Sequence, residues 1–170
     1  MACLVEESVT AALDCINILR NPYRKIILKR EQEIVVKDML GGRDVLAVLP
    51  TGFGKSMIYT VFAVAKGEFL KRSGARTTTT CVLVISPLKS IINDQIEELK
   101  SHNFTAEELS DRTLASVVAK PPQFLFATAE EALGIKFLDC LKDSTCDLHE
   151  TLAAVVVDEA HTVESWTGKR

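Results

Sequence analysis

Residues 45–56 read VLAVLPTGFGKS, and this stretch decides the fold that the sequence predicts. Its first five residues are apolar, and the loop that follows ends in Gly54-Lys55-Ser56. An apolar strand followed by a glycine-rich Gly-Lys-Ser loop and a helix is typical of a phosphate-binding loop, because glycines let backbone N–H groups converge on phosphate oxygens. We therefore expect Lys55 to bind nucleotide phosphates and Ser56 to bind Mg²⁺. The alternative is an ordinary glycine turn with a solvated lysine.

Three more apolar runs predict further strands, at Cys81–Ile85, Phe124–Ala127 and Ala153–Val157. None of the four runs alternates apolar with polar residues, so each is expected to be buried on both faces, as in a parallel sheet. Strands that alternate with helices predict an α/β domain with right-handed crossovers. In such sheets ligands bind beyond the carboxyl ends of the strands, so the residues after each run are the candidate functional residues.

Between these runs, apolar residues recur at helical spacing, which predicts helices. One predicted helix stops before Pro22, and another ends at Gly41. A third follows Ser90, which is a suitable N-cap, and a fourth begins with the capping box that Thr128 opens.

Composition limits the class of protein without naming it. The chain has 170 residues, a formal charge of -3, 47% hydrophobic and 25% charged residues, all of which suit one globular domain. It has no apolar run of membrane-spanning length and no basic, apolar leader, so we expect no membrane partner. Five cysteines at irregular spacing indicate reduced thiols, and Cys140, Cys146 and His149 lack the spacing of a zinc knuckle, so no structural zinc is expected.

The last apolar run leads into Asp158-Glu159-Ala160-His161. A carboxylate at the end of a buried strand can hold Mg²⁺, and Glu159 could orient the attacking water. An acidic pair that stabilises a helix N-terminus is the alternative. Ser86-Pro87-Leu88-Lys89 and Thr128-Ala129-Glu130 follow the other two runs and could contact a phosphate backbone, although helix capping alone also explains them.

The motifs LPTGFGKS, VISPLKSIINDQ, FATAEE and VVVDEAHTVESW together resemble the first half of a RecQ-family DNA helicase motor, of superfamily two, over about residues 25–166. The resemblance implies a three-layer RecA-like P-loop NTPase domain with a mainly parallel central sheet. Residues 25–170 would be the first RecA-like domain and residues 1–24 a helical lead-in. The second motor domain, with its arginine finger, would be absent from these residues, and the sequence after Trp166 departs from the family's aromatic-rich loop.

The resemblance also implies roles for matching residues. The residues expected to bind ATP are Gln32, which would read adenine, Lys29, where the family usually has arginine, and the loop residues Thr51, Gly52, Phe53, Gly54, Lys55 and Ser56. Lys55, Asp158, Glu159 and His161 would be catalytic, with Ser56 and Asp158 on Mg²⁺. The residues expected to face nucleic acid are Ser86, Pro87, Leu88, Lys89, Thr128, Glu130 and Trp166.

The implied function is ATP-driven 3′-to-5′ movement on single-stranded or forked DNA, with duplex unwinding (hydrolase and isomerase chemistry) in repair and recombination in the nucleus. Two alternatives remain open: a non-catalytic nucleotide-binding fragment or interaction module, and half of an RNA helicase motor. A P-loop kinase or GTPase is disfavoured, because the chain lacks a guanine-reading Asn-Lys-x-Asp pattern.

Overall fold

The structure, a computed structural model, describes residues 2–20, 25–75 and 77–160. The chain divides into two compact units, Met1–Thr80 and Cys81–Arg170. The predicted division between residues 24 and 25 stays a prediction.

The described part of the first unit is helical. Helix α1 spans Ala2–Arg20, α2 spans Arg30–Leu40 and α3 spans Lys55–Arg72. α1 and α2 pack against α3 through fully buried side chains such as Val36 and Phe62. The helix end predicted at Gly41 is confirmed. α1 is described as far as Arg20, and Asn21 and Pro22, before which its end was predicted, lie outside the described residues.

The strand predicted at Val45–Leu49 is wrong. Residues 43–50 form neither helix nor strand, and Leu46 and Val48 are 82% and 88% exposed. The physical reason is the lack of a ladder, because a strand needs a neighbour to bond its backbone and the described residues of the first unit contain no other strand.

The second unit contains a four-stranded, all-parallel sheet in the order β2-β3-β1-β4. The strands are β1 Cys81–Ile85, β2 Ala106–Glu108, β3 Phe124–Ala127 and β4 Leu152–Val157. Three of them confirm predicted runs. β2 was not predicted, because it is short and polar and contains no apolar run. The α/β class with a parallel sheet is therefore as predicted, and it is consistent with a RecA-like helicase domain.

Five helices accompany the sheet in the described part of this unit: α4 Lys89–Ser101, α5 Leu114–Ala119, α6 Ala129–Ala132, α7 Ile135–Lys142 and α8 Asp147–Thr151. Side chains from one face of the sheet join residues of α5 to α8 in one apolar cluster that includes Leu83, Leu125, Val117, Phe137 and Leu148. α4 packs against β2 and β3. Its N-cap is Leu88 rather than the predicted Ser90, since helical geometry starts two residues earlier.

Strand β4 differs from the expectation that each run is buried on both faces. Val155 and Val157 are 53% and 38% exposed. β4 lies at the end of the strand order and pairs only with β1 within the described sheet, so one of its edges has no neighbouring strand there.

Candidate functional site

The phosphate loop of the first unit leads directly into α3. Phe53 N donates to Pro50 O at 3.2 Å, which closes a tight turn. Gly52 and Gly54 have φ of 75° and 87°, a left-handed backbone that residues with a Cβ adopt at a cost. Gly54 is the N-cap of α3 and provides no side chain to bond the first N–H groups. The sequence therefore places an uncapped helix N-terminus behind the loop, as an anion site requires.

Lys55 and Ser56 form the first turn of α3. Lys55 is half-buried, whereas Ser56 and Thr51 are exposed. The first turn of α3 contains no acidic residue, so nothing in that turn competes with a phosphate for the positive end of the helix dipole. The predicted loop residues are thus brought together in one short segment.

Gln32 is 5% exposed and is bonded to this same loop. Its Nε2 donates to Phe53 O at 3.0 Å and to Gly54 O at 3.1 Å, and its Oε1 accepts from Lys29 N at 2.8 Å. A Cβ on Gly54 would lie 2.9 Å from Gln32 Nε2, so only glycine fits there without displacing the amide. The adenine-reading role of Gln32 stays a prediction, and its amide holds the loop in this structure.

Lys29 also contacts the loop. Its Nζ lies 3.9 Å from the centroid of the Phe53 ring and 3.4 Å from Phe53 O. Cation–π stacking of an exposed lysine of this kind contributes about 0.5–1 kcal/mol. Phe53 therefore holds Lys29 and Gln32 against the loop, a contact that the motif alone did not predict.

In the second unit, the candidate residues lie at the carboxyl ends of three adjacent strands. Ser86 follows β1, Thr128 follows β3, and Asp158 with Glu159 follows β4. Asp158 Oδ1 accepts from Glu159 N at 3.0 Å, and Glu159 has a φ of 52°, which is uncommon for a residue other than glycine. The turn after β4 is therefore a constrained one. His161 and Trp166 lie outside the described residues.

The lysine of the predicted nucleic-acid motif is paired with two carboxylates. Lys89 Nζ lies 3.0 Å from Glu131 Oε1 and 3.2 Å from Glu108 Oε1. Its bond to Glu131, followed by that to Glu108, raises the pKa of Lys89. Leu88 and Glu130 are exposed and Pro87 is half-buried, whereas Ser86 is fully buried. A nucleic-acid role for these residues stays a prediction.

The pairing of Glu131 with Lys89 was not predicted from the sequence, although the capping box to which Glu131 belongs was predicted and is confirmed. Thr128 N and Oγ1 both donate to Glu131 Oε2 at 2.9 Å, and Thr128 Oγ1 accepts from Glu131 N at 3.4 Å. Burial raises the pKa of Glu131, but the bonds from Thr128 and Lys89 outweigh it and leave that pKa below its usual value. The capping box therefore also positions the carboxylate that holds Lys89.

Two structural observations bear on metal and membrane binding. Among residues 2–20, 25–75 and 77–160, no three His, Cys, Asp or Glu side chains form a group that could hold a metal ion. His149 Nδ1 lies 2.6 Å from Leu141 O, and Cys146 is buried. The described helices include none that is long and apolar enough to cross a membrane.

Comparison with known proteins defines the class. The family model for the DEAD/DEAH box helicase matches residues 29–170, so the chain belongs to that family. Its relatives include "ATP-dependent DNA helicase hus2/rqh1" of Schizosaccharomyces pombe, 30% identical over 90% of the chain. They also include "ATP-dependent helicase SGS1" of Saccharomyces cerevisiae, 33% identical over 77%, and "ATP-dependent DNA helicase RecQ" of Haemophilus influenzae, 24% identical over 89%. The resemblance to RecQ-family helicases is thereby confirmed. The chain spans 12%, 9% and 23% of these relatives.

Proposed function

We propose that this chain is the ATP-binding half of a RecQ-like 3′-to-5′ DNA helicase motor, which couples ATP hydrolysis to movement along single-stranded DNA and duplex unwinding. The observation that carries the proposal is the uncapped N-terminus of α3 behind the glycine loop, in a chain of the DEAD/DEAH box helicase family. The names of the relatives support DNA as the substrate. Roles in repair and recombination, and a nuclear location, belong to the same proposal.

The residues of the first unit fit a nucleoside triphosphate. The N–H groups at the start of α3 and the charge of Lys55 would hold the phosphates, and the exposed Ser56 hydroxyl would join the ligands of Mg²⁺. When bound, ATP with Mg²⁺ supplies the reactive γ-phosphate. Gln32 and Lys29 are expected to contact the adenine, and for this they would exchange bonds that they now make to the loop.

The turn after β4 has carboxylates that suit the hydrolysis step. Asp158 has a carboxylate at a strand end, which suits a hard cation, and Glu159 would hold and orient the attacking water. The family resemblance implies that a second RecA-like domain would contribute an arginine finger, which supplies about 10³–10⁵ in rate in P-loop enzymes. We therefore expect the chain alone to bind ATP, to hydrolyse it very slowly and not to unwind duplex DNA.

Nucleic-acid binding by Lys89 would require an exchange of partners. Its charge is matched by Glu131 and Glu108, so a DNA phosphate competes with two carboxylates for it. Both of those ion pairs are largely exposed on the lysine side, so each is weak and the exchange is inexpensive. We expect weak, strongly salt-dependent binding to DNA by this chain.

The experiment is a titration of the purified chain with a fluorescent ATP analogue and Mg²⁺. The wild-type chain should bind, and Lys55→Ala should weaken binding at least about tenfold because a charge-assisted contact to phosphate is lost. Lys66→Ala, three turns further along α3, is the matched control and should bind as the wild type does. The absence of Mg²⁺·ATP binding, or equal binding by Lys55→Ala, would overturn the proposal.

Addition of a second RecA-like domain in trans then separates the alternatives. Stimulation of ATP hydrolysis by single-stranded DNA over RNA of the same length supports a DNA motor. A preference for RNA would identify half of an RNA helicase, and ATP binding without any stimulated hydrolysis would identify a non-catalytic nucleotide-binding module. Robust unwinding by the 170-residue chain alone would contradict the expected dependence on a second domain.

A further inference from the structure

Ser86 lies in the middle of a row that joins the candidate residues of the second unit. Ile85 pairs with Ala127 on one side and with Val157 on the other. The ladder continues one step further, because Ser86 N donates to Ala127 O at 3.0 Å and Asp158 N donates to Ile85 O at 2.9 Å. Thr128, Ser86 and Asp158 therefore lie side by side, about 5 Å apart from strand to strand.

The side chains of this row share one face of the sheet. Residues at the same level of parallel strands point to the same side, and successive residues alternate. The side chain of Ile85 packs against the apolar cluster under the sheet. Ser86 and its row neighbour Asp158 therefore belong to the opposite face of the sheet.

Ser86 has an unusual feature: among the described residues, its hydroxyl has no hydrogen-bond partner. The residue is 0% exposed, and its Oγ makes no hydrogen bond with the part of the chain that the structure describes. The other two members of the row are engaged, since Thr128 Oγ1 bonds Glu131 and Asp158 Oδ1 bonds Glu159 N. A buried, unpaired hydroxyl is unfavourable to folding, so alanine would suit this position better if folding alone decided it.

We propose that Ser86 is a positioning residue for Asp158: its hydroxyl donates a hydrogen bond to the Asp158 carboxylate when that carboxylate binds Mg²⁺. The proposal rests on the proposed function, in which Asp158 holds the ion. Ser86 touches neither ATP nor DNA in this role. It fixes the orientation of the carboxylate from the adjacent strand, and its backbone bond to Ala127 ties that orientation to the loop that begins at Thr128.

The test measures two properties of Ser86→Ala and Ser86→Thr in the full chain. The first is the affinity for the fluorescent ATP analogue with Mg²⁺ and, separately, with EDTA. The second is the midpoint of thermal unfolding without nucleotide. Ser86→Ala should weaken Mg²⁺-dependent binding about tenfold, since hydrogen bonds to charged groups are the strong ones. Its binding in EDTA should be unchanged, and its unfolding midpoint should be equal to or above that of the wild type.

Ser8→Ala is the matched control. Ser8 is also 0% exposed, but its Oγ donates to Leu4 O at 2.7 Å within α1. Its replacement should leave nucleotide affinity unchanged, both with Mg²⁺ and with EDTA. Ser86→Thr keeps a hydroxyl and should restore Mg²⁺-dependent binding; if it does not fold, Ser86→Cys, which has a weak donor, should bind like Ser86→Ala.

The outcomes separate the two proposals. A wild-type chain that binds no Mg²⁺·nucleotide overturns the proposed function itself. A wild-type chain that binds, together with a Ser86→Ala variant of equal Mg²⁺-dependent affinity, overturns only the role of Ser86. Equal weakening of Ser86→Ala with Mg²⁺ and with EDTA, or a lower unfolding midpoint, would also overturn it, because either result indicates a general structural role.

Discussion

Residues 45–49 and 81–85 are two apolar runs of the same length with opposite surroundings. The first, VLAVL, leads into the phosphate loop, and the second, CVLVI, leads into Ser86. Val48 is 88% exposed and belongs to no strand, whereas Val82 and Val84 are fully buried in β1. Yet each run precedes a loop with candidate functional residues.

The difference between these runs lies in their neighbours. β1 has β3 on one side and β4 on the other, so both edges of its backbone are bonded. All the regular elements among the described residues of the first unit are helices, so the run at 45–49 has no strand among them to pair with. The comparison teaches that an apolar, β-branched run favours a strand, but that a strand forms only where a neighbouring strand can bond its backbone.

The largest effect is expected for leucine truncation in the two runs. Leu83→Ala should lower the free energy of unfolding by about 2–5 kcal/mol, because it leaves a cavity in the buried cluster. Leu46→Ala, at a site 82% exposed, should change it by less than about 0.5 kcal/mol. Urea unfolding followed by circular dichroism measures both. Equal losses of unfolding free energy in the two variants would contradict the comparison, because they would mean that Leu46 is buried in a core in solution.

Thiol labelling should separate the runs almost as strongly. Burial raises the pKa of Cys81 to about 12, so at pH 8 it is protonated as well as inaccessible. A cysteine introduced by Val48→Cys should react with iodoacetamide at least about a hundredfold faster than Cys81, which reacts only after opening of the sheet. Peptide mass spectrometry gives both rates, with the exposed Cys15 as the internal reference. Reaction of Cys81 at the rate of Cys15 would contradict the burial of β1.

A glycine substitution tests whether the Gln32 amide restrains the loop after the first run, which follows no paired strand in the described residues. Gly54→Ala should destabilise the chain by about 2 kcal/mol, partly through its positive φ and partly because the new Cβ displaces the Gln32 amide. Gly74→Ala, with a similar φ of 73° and open space around it, should cost only about 1 kcal/mol. Urea unfolding compares the two. Equal values would mean that Gln32 does not restrain the loop.

The smallest effect concerns acid unfolding near the loop after β1. The pKa of Glu131 is lowered on folding, so its contribution is present above its unfolded pKa and disappears as pH falls through the folded value. Between pH 6 and pH 3 the wild type should therefore lose about 0.5 kcal/mol more stability than Glu131→Gln. Unfolding midpoints across that range measure it, and Glu107→Gln, an exposed change in β2, is the control. Parallel pH profiles of wild type and Glu131→Gln would refute the prediction.

Much of the fold was predictable because it depends on local patterns. Runs with both edges paired, the helix end at Gly41 and the capping box at Thr128 were all predicted and are confirmed. Strand β2 was not predictable, because Ala-Glu-Glu carries no apolar signal at an outer position of the sheet. The run at 45–49 was mispredicted, because the presence of a partner strand is not a local property.

The arrangement of the candidate residues was likewise predictable only where it depends on local sequence. The residues of the predicted phosphate loop lie together because they are consecutive in the sequence, so their proximity was predictable. The attachment of Gln32 and Lys29 to that loop, and of Lys89 to Glu108 and Glu131, joins residues 19 to 42 positions apart and depends on side-chain packing. Sequence spacing carries no information about which acceptor a long side chain reaches.

The amide of Gln32 has one further consequence, which concerns communication between ligands. An amide nitrogen carries two protons, and both of those on Gln32 are bonded to carbonyls of the loop. A base that takes one of these protons must release a loop carbonyl. A ligand that stabilises the bonded loop would therefore weaken base binding. By thermodynamic reciprocity, base binding would weaken the affinity for that ligand by the same factor. In the proposed function, base binding and the conformation of the loop would therefore be coupled through this one side chain.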